Sequence, residues 1–302
     1  MGSKLATTTA RTLVLKAERR FKRARLYFGH GTDNARDEAV FLVFHALDLA
    51  FDCPDEILDR VLTATQLAAV NALLDERIAR RCPAAYLTKR MWFAGLEFYV
   101  DENVLIPRSP IAELIGMRFL PWRRAPVRRI LDIGTGSACI AIAVALAYPH
   151  AQVDATDISP AALCVAARNV ATHGLTERVH LYAADLFPAT TGHYDLIVAN
   201  PPYVPETELA GLPDEYRHEP RLALFAADEG LALIKRILAG AAARMASDGL
   251  LVLDAGGTWP AVDAAFPTLP IIWVDLIHGG DGIGVITQPD LARFAKSGRL
   301  LE

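Results

Sequence analysis

The sequence predicts an α/β protein: an open sheet of seven strands, preceded by a smaller N-terminal helical domain and a linking β-hairpin. Three observations carry that prediction. The first ninety residues space their apolar positions as helices do. From Arg129 onward, strand-like apolar runs alternate with helical ones. A two-glycine turn follows the first of those runs and leads directly into a helix. Alternating strand and helix implies parallel strands joined by right-handed crossovers, with ligands at the strands' carboxyl ends.

Composition sets the outer bounds. A chain of 302 residues, 52% hydrophobic and 22% charged, has ample material for a core and room for two domains of roughly 150 residues. Its net charge of −4 argues against non-specific nucleic-acid binding, which needs a large basic surface. No apolar run approaches the ~18 residues of a membrane helix and no signal-peptide pattern opens the chain, so a soluble cytoplasmic protein is expected. Cys53, Cys82, Cys139 and Cys164 lie far apart, which reads as small buried residues in a reducing compartment. The histidines are equally scattered, and no bound metal is expected.

The N-terminal elements follow from spacing and caps. Helical periodicity covers Thr8 to Phe28 and stops at Gly29. Lys16, Arg19, Arg20, Lys22, Arg23 and Arg25 cluster on it, either as a solvated face or as a nucleic-acid contact. A second helix spans Asp37 to Leu49, capped by Asp33 or Asn34. A third spans Thr63 to Arg81, with Thr63 as cap and Pro83 beyond its end. Trp92 to Val100 alternates as a strand, and Asn103 to Ile106 reads as its return strand after Asp101-Glu102. Ser109 to Leu120 is helical up to Pro121. The domain boundary falls near residue 105, giving an N-terminal domain 1–90, a hairpin linker 91–108 and a sheet domain 109–302.

Strand candidates in the sheet domain are Arg129–Asp132, Val153–Asp157, Val179–Ala183, Asp195–Asn200 and Leu250–Asp254. Ile271–Asp275 and Ile283–Thr287 form a final antiparallel pair around Gly279-Gly280-Asp281-Gly282. Helices are expected over Cys139–Ala147, Pro160–Thr172 and Leu231–Ser247.

The turn Asp132-Ile133-Gly134-Thr135-Gly136 holds the first site. Gly134 allows a sharp reversal, and Gly136 lets backbone approach a ligand closely. Asp157 ends the next strand about 20 residues later, where a carboxylate accepts hydrogen bonds from ribose hydroxyls. A dinucleotide is disfavoured: Cys139 stands where the third glycine would be, and Asp132 would repel a pyrophosphate. Asp132 suits instead a cationic sulfonium nucleoside with an amino-acid tail, namely S-adenosylmethionine. Asp185, with Leu186 after the third strand, either accepts from an adenine amino group or caps a loop.

Asn200-Pro201-Pro202-Tyr203 holds the second site. A buried strand runs into two prolines, which lack N–H donors and fix φ. The Asn200 side-chain oxygen and the Pro201 carbonyl can then accept from the two hydrogens of a planar NH₂ group, with Tyr203 stacking on it. Such a nitrogen is a poor nucleophile because its lone pair is delocalised. Two preorganised acceptors stabilise the positive charge that grows on it during methyl transfer, and holding the reactants in line supplies much of the rest.

Together these residues resemble the class I S-adenosylmethionine-dependent methyltransferases that act on planar NH₂ groups, whose sheet is Rossmann-like. Within that class the chain looks like the protein-glutamine methyltransferases. Tyr27-Phe28-Gly29-His30-Gly31-Thr32-Asp33-Asn34, Ala85-Tyr86-Leu87-Thr88, Ile106-Pro107-Arg108-Ser109-Pro110 and Leu212–Pro220 favour the branch that acts on large-subunit ribosomal protein three over the release-factor branch. The likeness covers about residues 10 to 295.

The resemblance implies that Gly134, Thr135, Gly136 and Asp157 hold the cofactor, with Asp185 and Leu186 near the adenine. It implies that Asn200 meets cofactor and substrate, and that Pro201, Pro202 and Tyr203 cradle a glutamine amide. Its N-terminal domain would recognise the protein substrate. Two departures stand out: Ala138 follows Ser137 where a glycine is common, and Asp254 stands where glutamate is usual. His218 and Glu219 either form a lid or stabilise their loop; Arg108 either meets substrate or pins the linker. Asn-Pro-Pro-Tyr also suits a flipped adenine in a DNA amino-methyltransferase, although that reading lacks a basic DNA-reading region. A non-catalytic assembly factor on the same fold is the remaining alternative.

Overall fold

The computed structural model describes residues 8–190 and 192–296; the outer ends of domains 1–90 and 109–302 lie outside the described residues. The chain divides into two compact units, Met1–Arg90 with Pro213–His218, and Met91–Leu212 with Glu219–Glu302. Residues 91–108, read from the sequence as a linker, thus belong to the larger unit.

The smaller unit is helical. Helix α1 (Ala10–Ala24) starts at a capping box between Thr9 and Thr12 and buries Leu13, Val14, Ala17 and Phe21, a stripe at helical spacing. It ends at Arg25 rather than running to Phe28. Arg25 adopts a left-handed φ of 51°, its N–H bonds back to the helix, and the buried Leu26 closes the end. The basic cluster is split: Arg20 pairs with Asp75 and Lys22 with Glu18, while Lys16, Arg19 and Arg23 are exposed. Helix α2 (Ala35–Leu47) is capped by Asn34, which accepts from the N–H groups of Arg36 and Asp37. Helix α3 (Ala64–Arg80) has a second capping box, Thr63 with Gln66, and the short α4 (Ala84–Thr88) follows Pro83.

Pro213–His218 joins this unit through Glu215. Fully buried Arg77 donates Nε to Glu38 Oε1 at 2.7 Å, Nη1 to Glu215 Oε1 at 3.3 Å and Nη2 to the Tyr27 carbonyl at 2.9 Å. Glu215 Oε1 also accepts the Tyr27 N–H.

The larger unit opens on a hairpin, β1 (Arg90–Phe93) and β2 (Leu96–Tyr99). It turns at Ala94-Gly95, both left-handed at φ 49° and 77°, the geometry a two-residue hairpin turn demands. A turn does form at Asp101, whose carbonyl accepts the Val104 N–H, but the return strand Asn103–Ile106 after it is not present, and β2 pairs back onto β1 instead. The pattern ran through the true turn because alanine seldom takes that conformation. Helix α5 (Ile111–Gly116) stops short of Leu120, since left-handed Arg118 and Phe119 end it and Phe119 is buried.

The main sheet contains the seven strands expected. They are β3 (Arg129–Ile133), β4 (Gln152–Asp157), β5 (Val179–Ala183), β6 (Tyr194–Ala199), β7 (Met245–Asp254), β8 (Ile272–Trp273) and β9 (Ile283–Thr287). Their order across the sheet is β8-β9-β7-β6-β3-β4-β5. Strands β7, β6, β3, β4 and β5 are parallel, while β9 pairs antiparallel with both β7 and β8. The chain winds from β3 outward through β4 to β5, then returns to β6 on the other side of β3. The crevice for a ligand therefore opens beyond the carboxyl ends of β3 and β6.

Helices α6 (Cys139–Ala147) and α7 (Pro160–Thr172) fall where the sequence puts them; α8 (Ala232–Ala241) ends six residues earlier than Ser247. There the chain becomes β7, with Met245 opposite Tyr194 and a register shift before Leu250. Ile234, Ile237 and Leu238 of α8 pack with Leu131, Ile197, Leu251 and Leu253 in the core. Helices α9 (Trp259–Ala265) and α10 (Gln288–Lys296) had no counterpart in the sequence reading. Cys82 and Cys139 are buried, but Cys164 is exposed on the outer face of α7, against the expectation.

Candidate active site

At the end of β3 the chain reverses through Gly134 (φ 71°) and Gly136 (φ 53°). A Cβ at either position would meet no protein atom within 4 Å; it would project into open space in front of the turn. Three bonds set the turn: the Thr135 N–H donates to the Thr156 carbonyl, the Ala138 N–H to the Thr135 carbonyl, and the Gly136 N–H to Asp157 Oδ2 at 2.9 Å. Asp157 Oδ1 accepts the Ser159 N–H at 2.8 Å, and burial raises the pKa of this carboxyl.

A cavity of about 250 Å³ opens at this place. Gly134, Thr135, Gly136 and Asp157 line it, as do Asp185, Leu186, Asn200, Pro201 and Pro202. Residues from four strand ends, about 65 positions apart in the chain, are thus brought to one wall system. Asp185 is held by Arg236, Nη2 to Oδ2 at 2.7 Å, and both residues line the cavity. Asn200 follows β6 directly, and among the described residues nothing hydrogen-bonds its carboxamide.

Two expected site residues stand elsewhere. Asp132 lies behind the turn, 1% exposed, with Oδ2 accepting the Thr135 hydroxyl at 2.6 Å and the Ala141 N–H at 3.1 Å. Burial pushes its carboxyl up to about 7, so it braces the turn rather than lining the cavity. The Tyr203 ring is also outside the lining. It lies against Gly256, where a Cβ would overlap it, and burial pushes its hydroxyl up to about 12. Its carbonyl accepts the Thr258 hydroxyl at 2.7 Å.

A further wall is made by Asn103–Leu105, Pro107–Ser109, Pro220, Leu222 and Ala223, of which only Arg108 was a site candidate in the sequence. Arg108 and Glu219 join these loops. Ser109 Oγ donates to Asp254 Oδ2 at 2.7 Å, which fastens the wall to the end of β7. Asp254 also accepts the Gly256 N–H, and its burial pushes the carboxyl up to about 6. His218, by contrast, belongs to the helical unit, where its Nε2 lies 2.9 Å from the Arg80 carbonyl. Apolar loop residues such as Leu105 and Leu222 carry no motif, which is why sequence reading passes over them. Among the described residues no His, Cys, Asp and Glu cluster could hold a metal ion, and no helix is long and apolar enough to cross a membrane.

The residues present fit a nucleoside cofactor. The two glycines leave a cradle that a side chain would fill, and Asp157 lines the same cavity. Strand order, turn and cavity together define a class I methyltransferase fold. The family described as "Methyltransferase small domain" matches residues 117–211. The ribosomal protein uL3 glutamine methyltransferase of Bordetella pertussis (strain Tohama I) is 48% identical over 94% of this chain and 96% of its own. That of Neisseria gonorrhoeae (strain FA 1090) is 45% identical over 94% and 96%. Among solved structures, a ribosomal protein L11 methylase from Lactobacillus delbrueckii subsp. bulgaricus aligns with TM-score 0.40 and 22% identity, covering 58% of this chain and 75% of that one. The chain belongs to the family of ribosomal protein uL3 glutamine methyltransferases, and it is a methyltransferase.

Proposed function

We propose that this enzyme transfers a methyl group from S-adenosylmethionine to the side-chain amide nitrogen of a glutamine in ribosomal protein uL3, in the cytoplasm. The observation that carries the reading is the meeting of Asn200, Pro201 and Pro202 with Gly134–Gly136 and Asp157 around one cavity, in a chain whose relatives bear that name.

S-adenosylmethionine, when bound, supplies an electrophilic methyl group and leaves as S-adenosylhomocysteine, and the methylated nitrogen gives up one proton to water. The chain's own residues do the rest. Gly134, Thr135 and Gly136 present backbone to the cofactor, Asp157 accepts from its ribose, and Asp185 with Leu186 borders the adenine. Asp132 acts indirectly, by fixing Thr135. Asn200 Oδ1 and the Pro201 carbonyl each accept one hydrogen of the glutamine NH₂. These fixed dipoles favour the positive charge that develops on nitrogen over the neutral amide, and a preorganised acceptor of this kind is worth about 3 kcal/mol. Pro202 closes the amide's side of the cavity, while Tyr203 braces the loop from behind against Gly256 instead of stacking on the amide. The helical unit recognises the protein substrate, and any contact with ribosomal RNA falls on Lys16, Arg19 and Arg23.

The test is incubation of the chain and its Asn200→Ala variant with labelled S-adenosylmethionine and purified uL3. One methyl group on a glutamine, lost in the folded variant, is expected. Label on another residue type, or on DNA and not protein, overturns the reading.

A further inference from the structure

Asn169 lies in the last turn of α7, is 1% exposed, and does not line the cavity. Its carboxamide is nonetheless fully committed. Oδ1 accepts the Tyr99 N–H, and Nδ2 donates both to the Tyr99 carbonyl and to the Ser137 carbonyl, each at 2.9 Å. The first two bonds copy a strand partner and hold the end of β2. The third reaches the glycine turn.

That turn needs an outside hold. Gly136 and Ala138 both have positive φ, at 53° and 63°, and Ala138 carries no side chain able to cap α6. Backbone in sparsely populated regions persists only where its surroundings fix it. Asp132 fixes the turn through Thr135, and Asp157 fixes it through the Gly136 N–H. Between Gly136 and Ala138, the side chain that holds the peptide is Asn169. The residue it grips, Ser137, is itself part of the cavity lining.

We infer that Asn169 is a positioning residue for the cofactor: by gripping the Ser137 carbonyl it holds the Gly136–Ala138 backbone in the geometry that receives the nucleoside. This rests on the S-adenosylmethionine reading above. Removing the donor leaves a buried carbonyl unsatisfied and frees the left-handed Ala138 to relax.

The test is calorimetric titration of S-adenosylhomocysteine into the full-length wild type, Asn169→Asp and Asn169→Ser, with kinetics at varied S-adenosylmethionine. Aspartate keeps the acceptor for the Tyr99 N–H, loses both donors and sets a carboxylate against two carbonyls; serine vacates the position. Stoichiometry counts folded chains, whereas Kd reports the site, so the two roles separate. We expect Kd and KM for the cofactor to rise about tenfold or more in both variants, at unchanged stoichiometry and with kcat retained at saturation. Kd within about twofold of wild type, or a loss confined to stoichiometry, overturns the inference alone. A wild type that fails to bind overturns the cofactor reading and this inference with it.

Discussion

Arg108 and Glu219 meet end to end across the cavity wall, Nη1 to Oε1 at 2.5 Å and Nη2 to Oε2 at 2.8 Å, and the Glu219 side chain is wholly buried. Glu219 Oε1 also accepts the Ile106 N–H at 3.0 Å. A planar fork matched to a carboxylate in this way is a charge-assisted, geometrically specific contact. Of the two roles open to Arg108 in the sequence, the structure carries the pinning one. Glu219→Ala strips a buried N–H and a guanidinium of their acceptor and should lower stability by about 3 kcal/mol, with Glu219→Gln costing less. Urea unfolding of the three proteins checks the order. Equal losses would mean that the carboxylate charge contributes nothing.

Gly134 offers a sharper separation of fold from function. An alanine there would carry a positive φ at a cost of ~1–2 kcal/mol, yet its Cβ would touch no protein atom. The chain should therefore still fold, while the methyl group stands where the nucleoside would lie. Gly134→Ala should raise the Kd for S-adenosylhomocysteine about tenfold or more, with only a modest fall in Tm. Binding at wild-type strength would move the cofactor away from this turn.

What is visible in the amino-acid sequence and what is hidden in it have a common cause. Gly134, Gly136, Asp157 and Asn200–Pro202 were legible because each is a local device, a turn or a blocked strand end, whose place in a parallel sheet fixes where it points. The seven strands were legible for the same reason: buried parallel strands read as short apolar runs. Tyr203 was misdirected because its ring position depends on Gly256, more than 50 residues away, which leaves room for it. The membership of Pro213–His218 in the helical unit rests on long-range contacts, chief among them buried Glu215 with Arg77 and Arg81 and the Tyr216 ring against His30. Nothing local distinguishes that glutamate from its exposed neighbours.

Asp132 gives a pH dependence with a definite sign. Burial raises its carboxyl from the ordinary range to about 7, so the folded chain keeps a proton that the unfolded chain releases near pH 4. Its contribution is complete below the unfolded pKa and is lost as pH rises towards 7. Between those limits the slope attributable to this one group approaches about 1.4 kcal/mol per pH unit. Asp132→Asn keeps an oxygen for Thr135 and Ala141 but cannot titrate. Chemical denaturation at several pH values between 5 and 7 should therefore show a flatter profile for the variant. Parallel profiles would place the titrating group elsewhere.

Arg77 is the counter-charge on which the helical unit depends. It is buried between Glu38 and Glu215, which are themselves buried; burial raises the pKa of Glu38, and Arg77 opposes that shift. Replacing Arg77 with methionine keeps most of the volume but leaves Glu38 without its cationic partner, and leaves Glu215 to Arg81 at 3.2 Å. Removing one member of a buried pair costs about 3–5 kcal/mol, because the remaining charge stays desolvated. A glutamate in that position escapes the cost by taking a proton, so the loss should shrink at acidic pH and grow as pH rises above the carboxylate range. Arg77→Met with Glu38→Gln should recover part of it at neutral pH, since the neutral amide has no charge to bury. Denaturant unfolding of the single and double variants at pH 5 and pH 8 measures both effects. A loss equal at the two pH values, and not relieved by Glu38→Gln, would show that Arg77 stabilises the unit by its packing and its bond to the Tyr27 carbonyl rather than by its charge.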